Sequence, residues 1–393
     1  MDLRAKLNAL AAKPKQATPP EPISVPRCRQ VEHLHPLEEF PGAFDVGAHA
    51  LMLMQGEPLP EPLDPRRILY LDTETTGFQG AGTVAFMIGC GWLTDEGFVV
   101  RQYVLRDYPD EPDQLRQLEE LLRGFDVLCT FNGRSFDVPL LQTRFLMQRM
   151  RSSCLEKPHI DLLHIARRVW KLRLRRCRLG DLEERILGRP REDDLPGSEA
   201  PERFFEMLRT GEPHALDGVL KHNEQDVASM CTLLAHMHRM YEQPESVSHQ
   251  EDIFSMGVAL EKEHHPEEAR RCYRLVSSGR LRARSQQRTA VSLRREGRRD
   301  EACAVWQEMI RRREGGALPY RELAKYYEHT AHDLPRAIRM TRLGLMVAAE
   351  PTLFDPPELT ELREDLTKRY DRLRKKLEAR EKKLSGTDST KKG

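Results

Sequence analysis

No stretch of this chain approaches the roughly 20 consecutive apolar residues that span a bilayer. The opening MDLRAKLNALAAK also lacks the apolar core of a secretory leader. A soluble, cytoplasmic protein with no membrane partner is therefore expected. Paired cysteines are missing as well. The eight cysteines stand at 28, 90, 129, 154, 177, 231, 272 and 303, with none at C-x-x-C spacing. That excludes a zinc ribbon and argues for reduced thiols over a disulfide frame. Cys28 with His33 and His35, and His236 with His238, match no strong zinc pattern either. Nor is one charge in surplus: 63 Lys and Arg face 62 Asp and Glu, for a net charge of +1. Only local clusters can therefore speak of partners.

What is present divides the chain, whose 393 residues allow two or three domains. Leu3, Leu7 and Leu10 could line a short helix, and PKQATPPEPISVP after them is too proline-rich to be one. Residues 1–65 are thus expected as an extension, partly disordered. From 66 to 241 apolar strand-like runs (68–72, 83–92, 97–105, 126–131) give way to helix-like ones (112–123, 138–150, 161–171, 222–241). That order predicts a mixed sheet flanked by helices. RPREDDLPGSEAPE (189–202) is expected to be a surface loop.

Beyond residue 250 the strand signal vanishes. Met256-Gly-Val-Ala-Leu260 with Ala269 and Tyr273 is echoed by Thr289-Ala-Val-Ser-Leu293 with Ala302 and Trp306. A looser copy holds Ala337, so the marker alanines lie 33 and 35 residues apart. Small residues at that spacing suit close helix crossings. The pattern resembles tetratricopeptide repeats, which implies an all-α repeat domain over 250–350 and a surface for a protein partner. A charged helical or disordered tail (351–393) follows; from Lys368 it carries 11 Lys/Arg and 4 Asp/Glu.

Three acidic segments carry the chemistry. Ile68-Leu-Tyr-Leu-Asp72-Thr-Glu74-Thr-Thr-Gly77 ends a buried strand in two carboxylates that alternation turns to one side. Like charges that close repel unless a cation or a proton intervenes. Phe131-Asn132-Gly-Arg-Ser-Phe-Asp137-Val-Pro-Leu-Leu sets an aspartate at the head of an apolar helix, where it could also be a simple cap. In His222-Asn-Glu-Gln-Asp226 the two ionisable side chains lie about 40° apart on a helix, on one face.

In this order the segments resemble the DEDD superfamily of 3′–5′ exonucleases, with its ribonuclease H-like fold. With tetratricopeptide-like helices behind them they resemble its YprB-type group, which Asp161-Leu-Leu-His and Leu179-Gly-Asp-Leu-Glu-Glu also fit. The resemblance implies two Mg²⁺ or Mn²⁺ ions about 4 Å apart, acting on single-stranded DNA or RNA. Asp72 would bridge both ions. Glu74 and Asp226 would complete the first site, Asp137 would hold the second ion, and His222 would orient or deprotonate the attacking water. Thr75 and Asn132 match positions that touch substrate in the family. His222 departs from the pattern: it stands four residues before Asp226, the spacing of the family's tyrosine branch, where the histidine branch uses five.

Arg167, Arg168 and Lys171 open a run of seven cations in the twelve residues 167–178, with no acid among them. This run is the expected nucleic-acid contact. A ribonuclease H-like endonuclease, or an adaptor working through the repeats, would share these features.

Overall fold

Six strands build one mixed sheet in the computed structural model, which describes residues 28–77, 82–191, 195–349 and 357–388. They are β1 (Arg29–His35), β2 (Ile68–Thr75), β3 (Ala85–Leu93), β4 (Phe98–Val104), β5 (Val127–Thr130) and β6 (His159–Asp161), in the order β1-β4-β3-β2-β5-β6. The pairs from β1 to β2 are antiparallel, and β2–β5 and β5–β6 are parallel. Between and after them along the chain come helices α1 (Ala48–Gln55), α2 (Glu111–Leu122), α3 (Asp137–Met147), α4 (Leu162–Leu174), α5 (Leu179–Leu182), α6 (Ala200–Thr210) and α7 (Asp217–Glu242). The expected mixed sheet flanked by helices, followed by a helical region, is what the chain forms.

The chain divides into two compact units. The first takes in the described residues up to Val46, with Leu59–Leu162 and Leu182–Ala235. Its sheet buries both faces. Leu69, Leu71, Ile88, Cys90 and Tyr103 pack with Leu115, Leu118 and Leu122 of α2 and with Leu141 and Phe145 of α3. Phe86, Met87 and Val104 pack with Phe204 and Met207 of α6 and with Val219 and Leu220 of α7. Phe86 and Phe204 stack with ring centres 4.5 Å apart.

Residues 28–65 correct the expected extension. Arg29–His35 is an edge strand paired along β4, tied by Arg101 Nε donating to Glu32 Oε2 at 2.7 Å. RQVEHLH gives no alternating apolar signal because an edge strand leaves most of its side chains in water. The Leu3–Leu10 segment and the proline-rich stretch lie outside the described residues. The expected loop 189–202 is also shorter than anticipated, since α6 begins at Ala200.

The second unit comprises Gly47–Pro58, Leu163–Asp181 and the described residues from His236. Consecutive helices α8 (Gln250–Lys262), α9 (Pro266–Leu275), α10 (Gly279–Arg295), α11 (Arg299–Arg311), α12 (Leu318–His329), α13 (Leu334–Ala348) and α14 (Pro357–Asp388) pack in sequence. Ala269, Ala302 and Ala337 are buried, as are Tyr273 and Trp306. Gly257 explains one close crossing: a Cβ there would lie 2.5 Å from the Tyr273 ring. The basic tail is a helix over its described length, and part of its charge is already used. Arg369, Arg372 and Lys376 converge on the buried Glu328 at 2.7, 2.7 and 2.6 Å.

All eight cysteines are free thiols, and all but Cys154 are buried. Burial pushes their thiols up, Cys28 to about 11 and Cys231 to about 12. Among the described residues no helix is long and apolar enough to cross a membrane.

Candidate active site

Strand register places the first two acids. Asp72 pairs with Gly89 of β3, and Gly89 in turn with Gln102 of β4. Registered residues share a face, so Asp72, Gly89 and Gln102 form a row beneath α7. Gly89 contributes no side chain to that row, and Asn223 of α7 enters the space it leaves. The amide Nδ2 of Asn223 donates to Asp72 Oδ2 at 2.8 Å. Gln102 Nε2 fixes which way that amide points, donating to Asn223 Oδ1 at 2.9 Å and to Leu220 O at 2.8 Å. Both amide side chains are fully buried. A Cβ on Gly89 would overlap the Asn223 amide, and one on Gly91 would lie 2.5 Å from Val227.

Gly89→Ala therefore has a definite expected outcome. Overpacking of this kind costs about 1–3 kcal/mol, and it would also push Asn223 off Asp72. Urea denaturation should show a lower midpoint with an unchanged slope. An undiminished midpoint would mean that α7 has room to retreat.

Asp137 reaches the same neighbourhood from α3. It is the first residue of that helix, and its Oδ1 accepts the Thr73 hydroxyl at 2.6 Å. The loop before it is held by Asp161, whose carboxylate accepts the backbone N–H of Asn132 at 2.9 Å and of Arg134 at 3.1 Å. Asn132 itself takes a left-handed backbone, φ 71°, a conformation asparagine tolerates. The hydroxyl of Thr75 is spent on its own turn, donating to Gly77 O at 2.7 Å.

Helix α7 supplies the rest. Nε2 of His222 lies 3.9 Å from Glu74 Oε1 and 3.7 Å from Asp226 Oδ2. Arg191, from the expected surface loop, is instead tucked in with its side chain 9% exposed. Its guanidinium pairs with Asp226 and with the buried Glu183, and lies 3.2 Å from His222 Nδ1. A guanidinium can only donate, so Nδ1 accepts and the proton of a neutral ring sits on Nε2, toward the acids.

The electrostatics register this crowding. Burial first, then the charges of Asp226, Asp137 and Glu74, hold the Asp72 carboxyl well above the usual carboxylate range, with the Asn223 hydrogen bond opposing them. Burial lifts Asp137 to about 6 against the hydrogen bond from Thr73. Asp226 is raised by burial despite Arg191 and His222. Four mutually repelling oxygen acids suit a hard divalent cation. Even so, among the described residues no three His, Cys, Asp or Glu side chains stand as a ready-made metal cage. Asn223, Thr73 and Arg191 each engage one of the acids, Asp72, Asp137 and Asp226 in turn.

The structure thus brings Asp72, Glu74, Asp137, His222 and Asp226 together. Arg167, Arg168 and Lys171 belong to α4 in the second unit, where Arg168 pairs with Glu263 at 2.7 Å. Farther along that run, Arg173 is committed to the buried Asp252 through a two-pronged contact. Sequence reasoning missed Asn223, Gln102, Gly89, Glu183 and Arg191. The one signal within reach was the Gly89-Cys-Gly91 spacing in a strand, which marks a close approach by another element.

The sequence profile of the RNase H superfamily matches residues 69–238. The chain is 32% identical over 293 residues to the uncharacterised protein YprB of Bacillus subtilis (strain 168), covering 72% of this chain and 70% of that protein. Among solved structures, the family B DNA polymerase of the hyperthermophilic archaeon Pyrobaculum calidifontis matches 60% of this chain at 13% identity with a TM-score of 0.37. The chain spans 30% of that polymerase. The acids gathered around Asp72 lie within the matched domain, and the chain belongs to the RNase H-like nuclease family, together with YprB.

Proposed function

We propose that the protein is a divalent-metal-dependent exonuclease of the DEDD type that removes nucleotides from the 3′ ends of single-stranded DNA or RNA. The observation that carries this reading is the buried Asp72 carboxyl with Glu74, Asp137 and Asp226 pressing on it and His222 one helical turn from Asp226. A protein gains nothing in stability from such an arrangement, so its use lies in what it binds.

Asp72, Glu74, Asp137 and Asp226 would hold two Mg²⁺ or Mn²⁺ ions. When bound, such ions stabilise charge on the attacking and leaving oxygens of a phosphodiester. The chain's own groups then have distinct tasks. Asn223, aimed by Gln102, fixes the Asp72 carboxylate. Thr73 does the same for Asp137. His222 presents Nε2 toward Glu74 and Asp226, where it can hold a water by hydrogen bond. The helix pairs from 250 to 350, tetratricopeptide-like in spacing, would offer a surface to a protein partner.

The test is direct. Purified full-length protein with Mn²⁺ or Mg²⁺ is given end-labelled single-stranded DNA and RNA. Nucleoside monophosphates should appear from the 3′ end, and chelator should stop their release. Cleavage of circular or end-blocked strands would point to an endonuclease. No hydrolysis of any strand with either metal would overturn the reading.

A further inference from the structure

Within the second unit lies a cavity of about 190 Å³, lined by Arg168 of α4, Phe254 and Lys262 of α8, and Arg284 and Arg288 of α10, among others. Four of its lining residues are cationic and none is acidic. Two of the cations are compensated from outside the lining: Arg168 by Glu263 at 2.7 Å and Arg288 by Glu261 at 2.8 Å. Arg168 also donates to Met54 O at 3.0 Å, which holds it in place. The other two have no such partner. Arg284 lies with its guanidinium carbon 4.7 Å from the centre of the Phe254 ring, and neither it nor Lys262 meets a carboxylate among the described residues.

Helix α10 carries six arginines and no acid, yet Arg282 and Arg294, which do not line the cavity, are matched to Glu314 and Glu322. Two cations of the cavity lining, Lys262 and Arg284, are left without a carboxylate among the described residues. Such a site draws an anion. Its volume falls below the roughly 300 Å³ at which pockets begin to enclose a whole small ligand. It is large enough for one charged portion of a longer chain. Guanidinium forks match phosphate oxygens, and a ring beneath Arg284 holds its plane fixed at little entropic cost.

We propose that this cavity seats backbone phosphates of a single nucleic-acid strand, which makes the helical unit a strand-binding module. The family of the chain favours nucleic acid over an acidic peptide as the polyanion, and the regular spacing of phosphates suits cations presented from three helices. The inference does not depend on hydrolysis at Asp72.

The experiment removes catalysis from view. Full-length Asp72→Asn protein in chelator is titrated into fluorescein-labelled single-stranded oligonucleotide, followed by anisotropy. Adding Lys262→Glu and Arg284→Glu together should weaken binding at least tenfold. The slope of log affinity against log salt should become shallower by about 1.4, the share of two phosphate contacts on a single strand. Arg284→Lys alone should retain most of the affinity, which separates charge from folding. Binding by the double-charge variant equal to that of its parent would overturn the proposal. So would polyglutamate competing as well as the oligonucleotide, because the cavity would then be an acidic-peptide site. Absence of nuclease activity in the unmutated protein would leave this result untouched.

Discussion

Asp72→Asn should abolish hydrolysis and, in chelator, make the protein harder to unfold. Both effects follow from one arrangement. The Asp72 carboxyl is buried against three other acids and is held well above the usual carboxylate range. An amide of the same shape keeps the packing and removes the central charge. Catalysis would lose one of the four carboxylates proposed to hold the cations, a loss of about 10²–10³-fold by analogy with deleting one preorganised electrostatic contact. Stability should move the other way, because a repelling group is gone from a site that is strained for use. Metal-supported release of nucleotides and urea denaturation in chelator read the two effects separately. A variant that stays active would remove Asp72 from the chemistry. One that is inactive and also less stable would mark it as a structural residue.

Arg191→Met should tighten binding of Mn²⁺. The Arg191 guanidinium already pairs with Asp226 and Glu183 and donates to His222 Nδ1. A cation that takes Asp226 as a ligand must loosen that hold and place its charge beside another positive group. Removing one partner of a buried pair costs about 3–5 kcal/mol, so the variant should be less stable in chelator, with Glu183 left uncompensated. Metal titration by calorimetry should show at least tenfold higher affinity, and added Mn²⁺ should recover part of the lost stability. The double variant with Glu183→Gln relieves the orphaned acid and keeps the test clear of misfolding. Unchanged metal affinity in both variants would show that Arg191 does not compete with the cation, and weaker affinity that it helps to hold it.

The contrast between these residues shows what the sequence could reveal. Asp72 and Glu74 were legible because a strand alternates and the run before them is apolar. His222 and Asp226 were legible because a helix repeats. The mixed sheet followed by helices followed from the same periodicities. Asn223, Gln102 and Gly89 act together only once three strands are in register and α7 lies across them, and no local period encodes that. Arg191 looked like loop because proline, glycine and acids surround it; its burial depends on Glu183 and Asp226, 8 and 35 residues away. The cation run 167–178 looked like a free basic face because spacing does not show counterions. Asp252 and Glu263, far along the chain, neutralise Arg173 and Arg168.

The buried cysteines have a practical consequence. A thiol must ionise and meet solvent before it is alkylated, and in the folded chain seven of the eight are kept from doing either. Labelling with iodoacetamide is thus a clock for opening of the fold. Because Cys90, Cys129 and Cys231 lie in the first unit and Cys272 and Cys303 in the second, mass spectrometry of the labelled peptides times the two units independently in a single sample.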